Sequence, residues 1–217
     1  MSLPVETDVT GAVRDALLSG EYVPRQRLIE ADLCERFGAG RADVRSALRL
    51  LAAEGLVEIQ RNCGARVREN SFAEAVRITE VRMVVEGLIA ARATERVDRA
   101  QAEQLRGIGA SMARTVADGE LMTYSDLNAR LHRCVRDIAG HETADQVLER
   151  LRAQVVRHPF VLSLVPGRAR VSLPQHQRII EAIIAKDPTA AEAAVRDHVA
   201  TAVEAIRMLE AGRHRAS

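Results

Sequence analysis

Four polar residues in the second half of the chain have the types and spacing to hold a metal ion. His132, His176 and His198 lie in three separate helix-forming stretches, and Asn128 precedes His132 by four residues, which places those two side chains on one helix face. Three imidazoles with one side-chain oxygen form a donor set for Zn, Ni, Mn or Fe and leave positions open for water or a carboxylate. Spacing alone favours the ordinary alternative, in which these are histidines of a core or a surface.

A second chemical pattern lies near the N-terminus, where three arginines recur every four residues. Arg41, Arg45 and Arg49 fall on one face of a predicted helix that runs from residue 41 to about 53, and apolar residues fall on the other face. Such a stripe can meet phosphates and base edges of DNA, although in isolation it is typical of a solvated helix face. The elements around it decide between these interpretations.

The helix with the arginines follows another short helix and precedes a predicted hairpin. The first helix ends at Gly38, a residue suited to the left-handed conformation that terminates helices. Strands are predicted at 56–60 and 65–68, joined by a turn at 61–64 whose Asn and Gly favour positive φ. Two helices, a turn and a basic hairpin in this order predict a winged helix-turn-helix that reads DNA.

This stretch resembles the GntR family of bacterial transcription regulators, without gaps. The matching residues are Leu28, Glu30, Leu33, Gly38, Arg41, Val44, Arg45, Ala47, Leu48, Leu51, Glu54, Gly55, Leu56 and Val57, and the turn from Arg61 to Val67 also looks like the wing of the family. The sequence departs from the family pattern at Gly40, Ala42, Asp43 and Ser46. We therefore expect DNA binding with an operator preference of its own.

The predicted DNA contacts lie in the second helix and in the wing. They are Gly40, Arg41, Asp43, Arg45 and Arg49 in the turn and helix, and Arg61, Asn62 and Arg66 in the wing. The absence of a hydroxyl at Gly40 removes a helix cap of about 1 kcal/mol. Asp43 could accept a hydrogen bond from a cytosine amine or stabilise the positive end of its helix.

Composition excludes several other classes of protein. The chain has 217 residues, 47% of them apolar, and lacks a run of about 18 uncharged apolar residues, so one or two packed domains are expected rather than a membrane protein. No signal peptide is recognised, and the three cysteines form no C-x-x-C, which indicates reduced thiols in the cytoplasm. Aromatic residues make up only 2% of the chain, so its core is expected to consist of packed helices rather than strands.

The second half of the chain is predicted to be helical throughout. A capping box at residues 71–74 sets the boundary between a DNA-binding domain of residues 8–69 and a domain of residues 72–211. Predicted helices span about 72–94, 99–117, 121–138, 143–157, 174–186 and 188–211, with a break between Pro159 and Pro174. The fold class is therefore mainly α: a winged helix-turn-helix with three helices and a two-stranded wing, then an antiparallel bundle of six to seven helices.

The helical half resembles the FCD domain, the ligand-binding domain of one GntR subfamily. The segments 126–132 and 176–183 match its histidine motifs, and the region from Asp187 to His198 matches its last helix. The resemblance implies a divalent metal bound by Asn128, His132, His176 and His198. It also implies that Arg82 binds an acidic effector, whereas a surface ion pair with Glu86 is the alternative.

The combined prediction is a homodimeric transcription regulator, most simply a repressor, that binds a short pseudo-palindromic operator. A small carboxylate effector at the metal site is expected to control its affinity for DNA. Two alternatives stay open at this point: a metal-dependent enzyme that uses the histidines to activate water, and a regulator whose metal is purely structural.

Overall fold

The structure is a computed structural model that describes residues 8–60, 64–155 and 167–216. Its helices are α1 (Val9–Leu18), α2 (Glu30–Phe37), α3 (Arg41–Ala53), α4 (Phe72–Arg96), α5 (Arg99–Asp118), α6 (Leu121–Ala139), α7 (Glu142–Val155), α8 (Arg168–Ile184) and α9 (Pro188–Ala216). Its strands are β1 (Arg27–Leu28), β2 (Val57–Gln60) and β3 (Gly64–Val67). A first compact unit ends at Ser71, a second begins at Phe72, and the end of α7 from Arg152 is grouped with the first.

The first unit is a helix-turn-helix with its own apolar core. Gly38 ends α2 with φ 62° and ψ 34°, the left-handed conformation predicted for it. The inward face of α3 carries Val44, Leu48 and Leu51, each at most 2% exposed, and it packs against α1 and α2. Because the buried face is continuous over the length of α3, the opposite face with its arginines is held towards solvent.

The sheet of this unit has three strands rather than the predicted two. Its order is β1-β3-β2 with antiparallel pairing, and Leu28 of β1 lies opposite Ala65 of β3. In β3, Ala65 and Val67 are buried and Arg66 is exposed, the alternation expected of a strand with one face on the core. The prediction lacked β1 because a strand of two residues is too short to show that alternation.

Local capping residues fix the ends of several helices in the second unit. Asp98 and Gln101 form a reciprocal capping box at the start of α5, with hydrogen bonds of 2.7 and 3.0 Å. The carboxylate of Asp187 accepts a hydrogen bond of 2.9 Å from a backbone N–H in the first turn of α9. Gly119 and Gly140 end α5 and α6 in the left-handed conformation. The predicted limits of these helices, at about 99, 117, 121, 138 and 188, lie within one residue of the observed ones.

One predicted boundary is wrong, because α8 begins at Arg168 and Pro174 lies inside it. A proline within a helix removes a backbone hydrogen bond and costs about 3 kcal/mol. Here the same helix buries Ala169, Ser172 and His176, which are 5%, 5% and 1% exposed. Burial of this face compensates for the proline. Pro159, the other end of the predicted break, lies outside the described residues.

The core of the second unit is built from aliphatic side chains, as the scarcity of aromatic residues predicted. Its fully buried members include Leu105, Met112, Leu131 and Ile183. Helix α9 packs along α4 and α8, and α4 also packs against α6 and α8, so α6, α8 and α9 all lie around α4. Within the described ranges, no helix is long and apolar enough to cross a membrane.

Candidate metal centre and nucleic-acid interface

Three histidine side chains converge inside the second unit. His132 comes from α6, His176 from α8 and His198 from α9, and one potential ligand atom of each lies within 4.8 Å of those of the other two. The ring centroids of His176 and His198 are 4.3 Å apart, and that of His132 is 5.7 and 5.5 Å from them. Packing therefore brings together three residues that are far apart in the sequence.

A glutamine orients the ring of His198. The side-chain oxygen of Gln175 lies 3.1 Å from Nδ1 of His198, and an amide oxygen can only accept a hydrogen bond. His198 therefore carries its hydrogen on Nδ1, and the lone pair of Nε2 is available to a ligand. Such a bond fixes tautomer and ring orientation in the way that partners of metal-bound histidines do.

The hydroxyl of a tyrosine contacts Nδ1 of His176, as the glutamine contacts Nδ1 of His198. The hydroxyl of Tyr124 lies 3.0 Å from Nδ1 of His176 and 2.7 Å from the hydroxyl of Ser172. Burial raises the pKa of Tyr124, so its hydroxyl stays protonated at neutral pH. With Nδ1 engaged, Nε2 of His176 is the nitrogen that can bind a cation.

Burial also keeps the two inner histidines neutral. The pKa of His176 is held well below its ordinary value by burial first, then by the charges of His198 and Arg168. Burial, followed by the charge of His132, lowers the pKa of His198 to about 3, although Glu86 acts in the opposite direction. Neutral imidazole is the form that binds metals, so these two rings need not lose a proton to do so.

Two buried polar atoms without hydrogen-bond partners indicate whether these residues could bind a cation. Within the described part of the chain, Nε2 of His176 and Oδ1 of Asn128 are buried and have no hydrogen-bond partner. Each such atom costs about 1 to 3 kcal/mol when it is left unsatisfied. Both are ligand atoms of the kind that Zn, Ni, Mn and Fe accept, and Asn128 lies one turn before His132 on α6. The donor set therefore fits a divalent cation.

Arg82 forms an ion pair with Glu86, but this pair is not on the surface. Nη2 and Nε of Arg82 donate to Oε1 of Glu86 over 2.7 and 3.1 Å. The side chains are 14% and 5% exposed. Oε2 of Glu86 lies 3.7 Å from Nδ1 of His132. The arginine predicted to bind an effector therefore lies next to the histidine cluster, and it already binds the carboxylate of Glu86.

The structure exposes the arginine stripe of α3, as predicted. Arg41, Arg45 and Arg49 are all exposed on the face opposite the core. Gly40 precedes α3 with an extended backbone and no capping side chain. A Cβ on Gly40 would lie 2.9 Å from Oδ2 of Asp43, so this carboxylate folds back over the start of α3. That position favours the helix-terminus role of Asp43, since an anion there is stabilised by the helix dipole.

Arg45 is held by a neighbouring helix. Its Nε donates to Oε2 of Glu30 in α2 over 2.8 Å, while 61% of its side chain stays exposed. In the wing, Arg66 is exposed on β3. The predicted contacts Arg61 and Asn62 lie outside the described residues.

Sequence reasoning missed three residues around the histidines. Tyr124 could have been found, because it lies four residues before Asn128 and eight before His132 and so shares their helix face. Gln175 and Glu86 had no comparable signal, because each meets its histidine across a helix contact.

A winged helix-turn-helix followed by a helical bundle with an internal ligand cluster is the architecture of a DNA-binding transcription regulator. The match to known families specifies which one. Residues 6–67 match the family described as bacterial regulatory proteins, gntR family, and residues 77–201 match the FCD domain. The chain belongs to the GntR family of transcription regulators with an FCD domain, and it is a DNA-binding regulator rather than an enzyme.

Relatives and solved structures agree with this family. The transcriptional repressor RspR of Escherichia coli K12 is 25% identical over 206 residues, which cover 95% of this chain and 90% of RspR. The galactonate operon transcriptional repressor of the same strain is 27% identical over 213 residues, covering 88% and 92%. The structure of E. coli McbR/YncC superposes with a TM-score of 0.77 at 16% identity, over 96% of this chain and all of the other, and shows the same fold.

Proposed function

We propose that this protein is a homodimeric, cytoplasmic repressor whose affinity for DNA is controlled by a small carboxylate bound beside a divalent cation. In this proposal residues 8–69 form the DNA-binding domain and residues 72–211 form the domain that binds cation and effector and dimerises. The alternative within the same family is a regulator whose cation is purely structural.

The observation that carries the cation part is the histidine cluster with its unsatisfied atoms. His132, His176 and His198 each offer one ligand atom within 4.8 Å of those of the other two, and Oδ1 of Asn128 is buried without a partner in the described structure. Four protein ligands of this kind leave coordination positions for water or for an oxygen of a carboxylate when the cation is octahedral.

Arg82 supports an anionic effector. It is 14% exposed and lies on α4 beside the cluster, bound to Glu86. A guanidinium in such a place can bind a carboxylate through two parallel hydrogen bonds. One relative is named as repressor of the galactonate operon, and galactonate is a sugar carboxylate. Both observations favour a small organic acid over a neutral or cationic effector.

The DNA part of the proposal uses α3 and the wing. Two copies of α3 would enter successive major grooves of a short pseudo-palindromic operator. Arg41, Arg45 and Arg49 are the side chains expected to contact bases and phosphates, and Arg61, Asn62 and Arg66 are expected to bind the backbone. An effector can release DNA only if it binds the non-binding arrangement better, and tenfold release needs about 1.4 kcal/mol of differential affinity.

One experiment separates the proposal from its alternative. The purified full-length protein is assayed for bound metal, and its affinity for DNA fragments from upstream of its own gene and the adjacent genes is measured by fluorescence anisotropy. Small carboxylates are then added with and without a chelator. The proposal expects metal in stoichiometric amount, specific DNA binding and release by at least one carboxylate that needs the metal.

Two other outcomes are informative. Metal with no response to carboxylates, combined with loss of folding on chelation, would support the structural cation. Specific DNA binding by a protein that takes up no divalent metal would contradict the cation site and leave the regulator assignment intact.

A further inference from the structure

A buried carboxylate lies between the arginine and the histidine cluster. Glu86 is 5% exposed, its Oε1 accepts two hydrogen bonds from Arg82, and its Oε2 lies 3.7 Å from Nδ1 of His132. Its two oxygens thus face two different groups, one of which is a predicted metal ligand. The predicted ligand set does not include Glu86, and among the described residues the group whose ligand atoms lie within 4.8 Å of one another consists of His132, His176 and His198.

Close packing places this carboxylate in the interior. The next residue on α4 is Gly87, and a Cβ there would lie 3.1 Å from the side chain of Glu192 on α9. The two helices therefore approach closely where α4 carries Glu86. A carboxylate in such a place is costly unless it is paired, and a second positive partner would compensate its burial further.

Charge balance at the cluster requires an anion. An amide oxygen and imidazole ligands in their metal-binding form carry no charge, so a divalent cation bound by them would bring two positive charges into a buried region. Arg82, which is 14% exposed and bound to Glu86, adds a further positive charge beside the cluster. Oε2 of Glu86 lies 3.7 Å from Nδ1 of His132, so this carboxylate places a negative charge at the cluster.

We infer that Glu86 is a positioning residue of the cation site, which orients His132 through Nδ1 and supplies the negative charge that the neutral ligands lack. This inference rests on the proposed cation site. Carboxylate–histidine–metal arrangements of this kind raise the basicity of the histidine, and their removal weakens metal binding by about 10- to 100-fold. The alternative is that Glu86 only neutralises Arg82.

The test is a titration of the metal-free full-length protein with Co²⁺, followed by visible absorption, and with Zn²⁺ against a competing chelator. Glu86→Gln keeps the shape of the side chain and removes its charge. We expect its affinity for both ions to fall about 10- to 100-fold, with the Co²⁺ absorption band unmoved because the ligands are the same. The matched control is Glu95→Gln, which removes another acid of α4 that is paired with an arginine, Arg92, over 2.8 Å but is half exposed.

A second variant should restore the metal affinity that Glu86→Gln loses. Asn128→Asp in the Glu86→Gln background returns one negative charge to the site, and it should recover most of the lost affinity. Folding is checked by circular dichroism of the metal-free proteins. Because Glu86→Gln leaves Arg82 buried without its carboxylate, the double variant Arg82→Gln/Glu86→Gln is also titrated. It removes one positive and one negative charge together, so it should regain part of the affinity but stay below the wild type, because His132 still lacks the carboxylate that orients it. Full recovery would mean that Glu86 only neutralises Arg82.

The outcomes separate the inference from the function on which it rests. A wild-type protein that binds neither ion would overturn both the cation site and the role of Glu86. Wild-type binding with unchanged affinity in Glu86→Gln would overturn the role of Glu86 alone. A shifted Co²⁺ band in Glu86→Gln would make Glu86 a ligand and so contradict the positioning role.

Discussion

The hydroxyl of Tyr124 lies 3.0 Å from Nδ1 of His176, and this contact belongs to a chain of hydrogen bonds that ends at a backbone carbonyl. Ser172 donates to the carbonyl of Ala169 over 3.4 Å, so its oxygen is free to accept from Tyr124 over 2.7 Å. In this arrangement Tyr124 can accept from Nδ1–H of His176, which leaves Nε2 of the histidine to bind a cation.

Removal of the tyrosine hydroxyl should therefore weaken metal binding while the ring still fills its place in the core. For Tyr124→Phe we expect Zn²⁺ affinity to fall about 10- to 100-fold and the free energy of unfolding to fall by about 1 kcal/mol. Chelator competition measures the first quantity and denaturant titration of the metal-free protein the second. Tyr22→Phe, in the other unit, is the control. Equal metal affinity in both variants would show that the hydroxyl does not set the tautomer.

The cation site itself is tested by metal content after purification. His176→Ala should lose stoichiometric metal, because it removes one of the three clustered histidines and the one whose Nε2 has no hydrogen-bond partner among the described residues. His141→Ala is the matched control, since His141 lies outside the cluster and its Nδ1 accepts from a backbone N–H at the start of α7. Undiminished metal in His176→Ala would remove that residue from the site.

The sequence predicted what local patterns encode. The left-handed end of α2 at Gly38, the buried face of α3 and the cap at Asp187 all depend on residues within about one helical turn, and all three are observed. The predicted start of α8 is wrong because it depends on packing with residues that are distant in the sequence. Pro174 predicts a helix boundary locally, and only the burial of its neighbours in the folded core overrides that preference.

The candidate site was predictable only in part, for the same reason. The histidines were recognisable by family resemblance, but the partners that orient them lie across helix contacts. Gln175 meets His198 from another helix, and Glu86 approaches His132 from α4. Spacing along one chain segment carries no information about such pairs. Burial of Glu86 was also unpredictable, since an Arg and a Glu four residues apart are usually a surface pair.

Two glycines of the first unit have nearly the same φ but different surroundings. Substituting each by alanine therefore distinguishes the cost of backbone strain from the cost of a steric clash. Gly20 has φ 82° and Gly64 has φ 81°, but a Cβ on Gly64 would lie 2.5 Å from the carbonyl oxygen of Leu28, whereas one on Gly20 would meet nothing within 4 Å. We expect Gly20→Ala to cost about 1 to 2 kcal/mol of stability and Gly64→Ala about 1 to 3 kcal/mol more. Hydrogen exchange of the amides in β1 and β3 measures the difference locally. Equal effects of the two substitutions would mean that β1 does not pack against this turn.

The ion pair between Arg45 and Glu30 predicts opposite effects for its two members on DNA binding. Arg45→Ala should weaken operator binding by about 1 to 3 kcal/mol if the side chain reads a base. Glu30→Gln should strengthen binding by up to about 1 kcal/mol, because Arg45 no longer has to leave an exposed ion pair and a negative charge near the phosphates is gone. The control is Glu21→Gln, which releases Arg36, an arginine of α2 outside the stripe. Anisotropy titrations at several salt concentrations measure all three affinities. If Glu30→Gln bound the operator no better than Glu21→Gln, Arg45 would contact DNA without giving up its carboxylate partner, and the pair itself would be part of the interface.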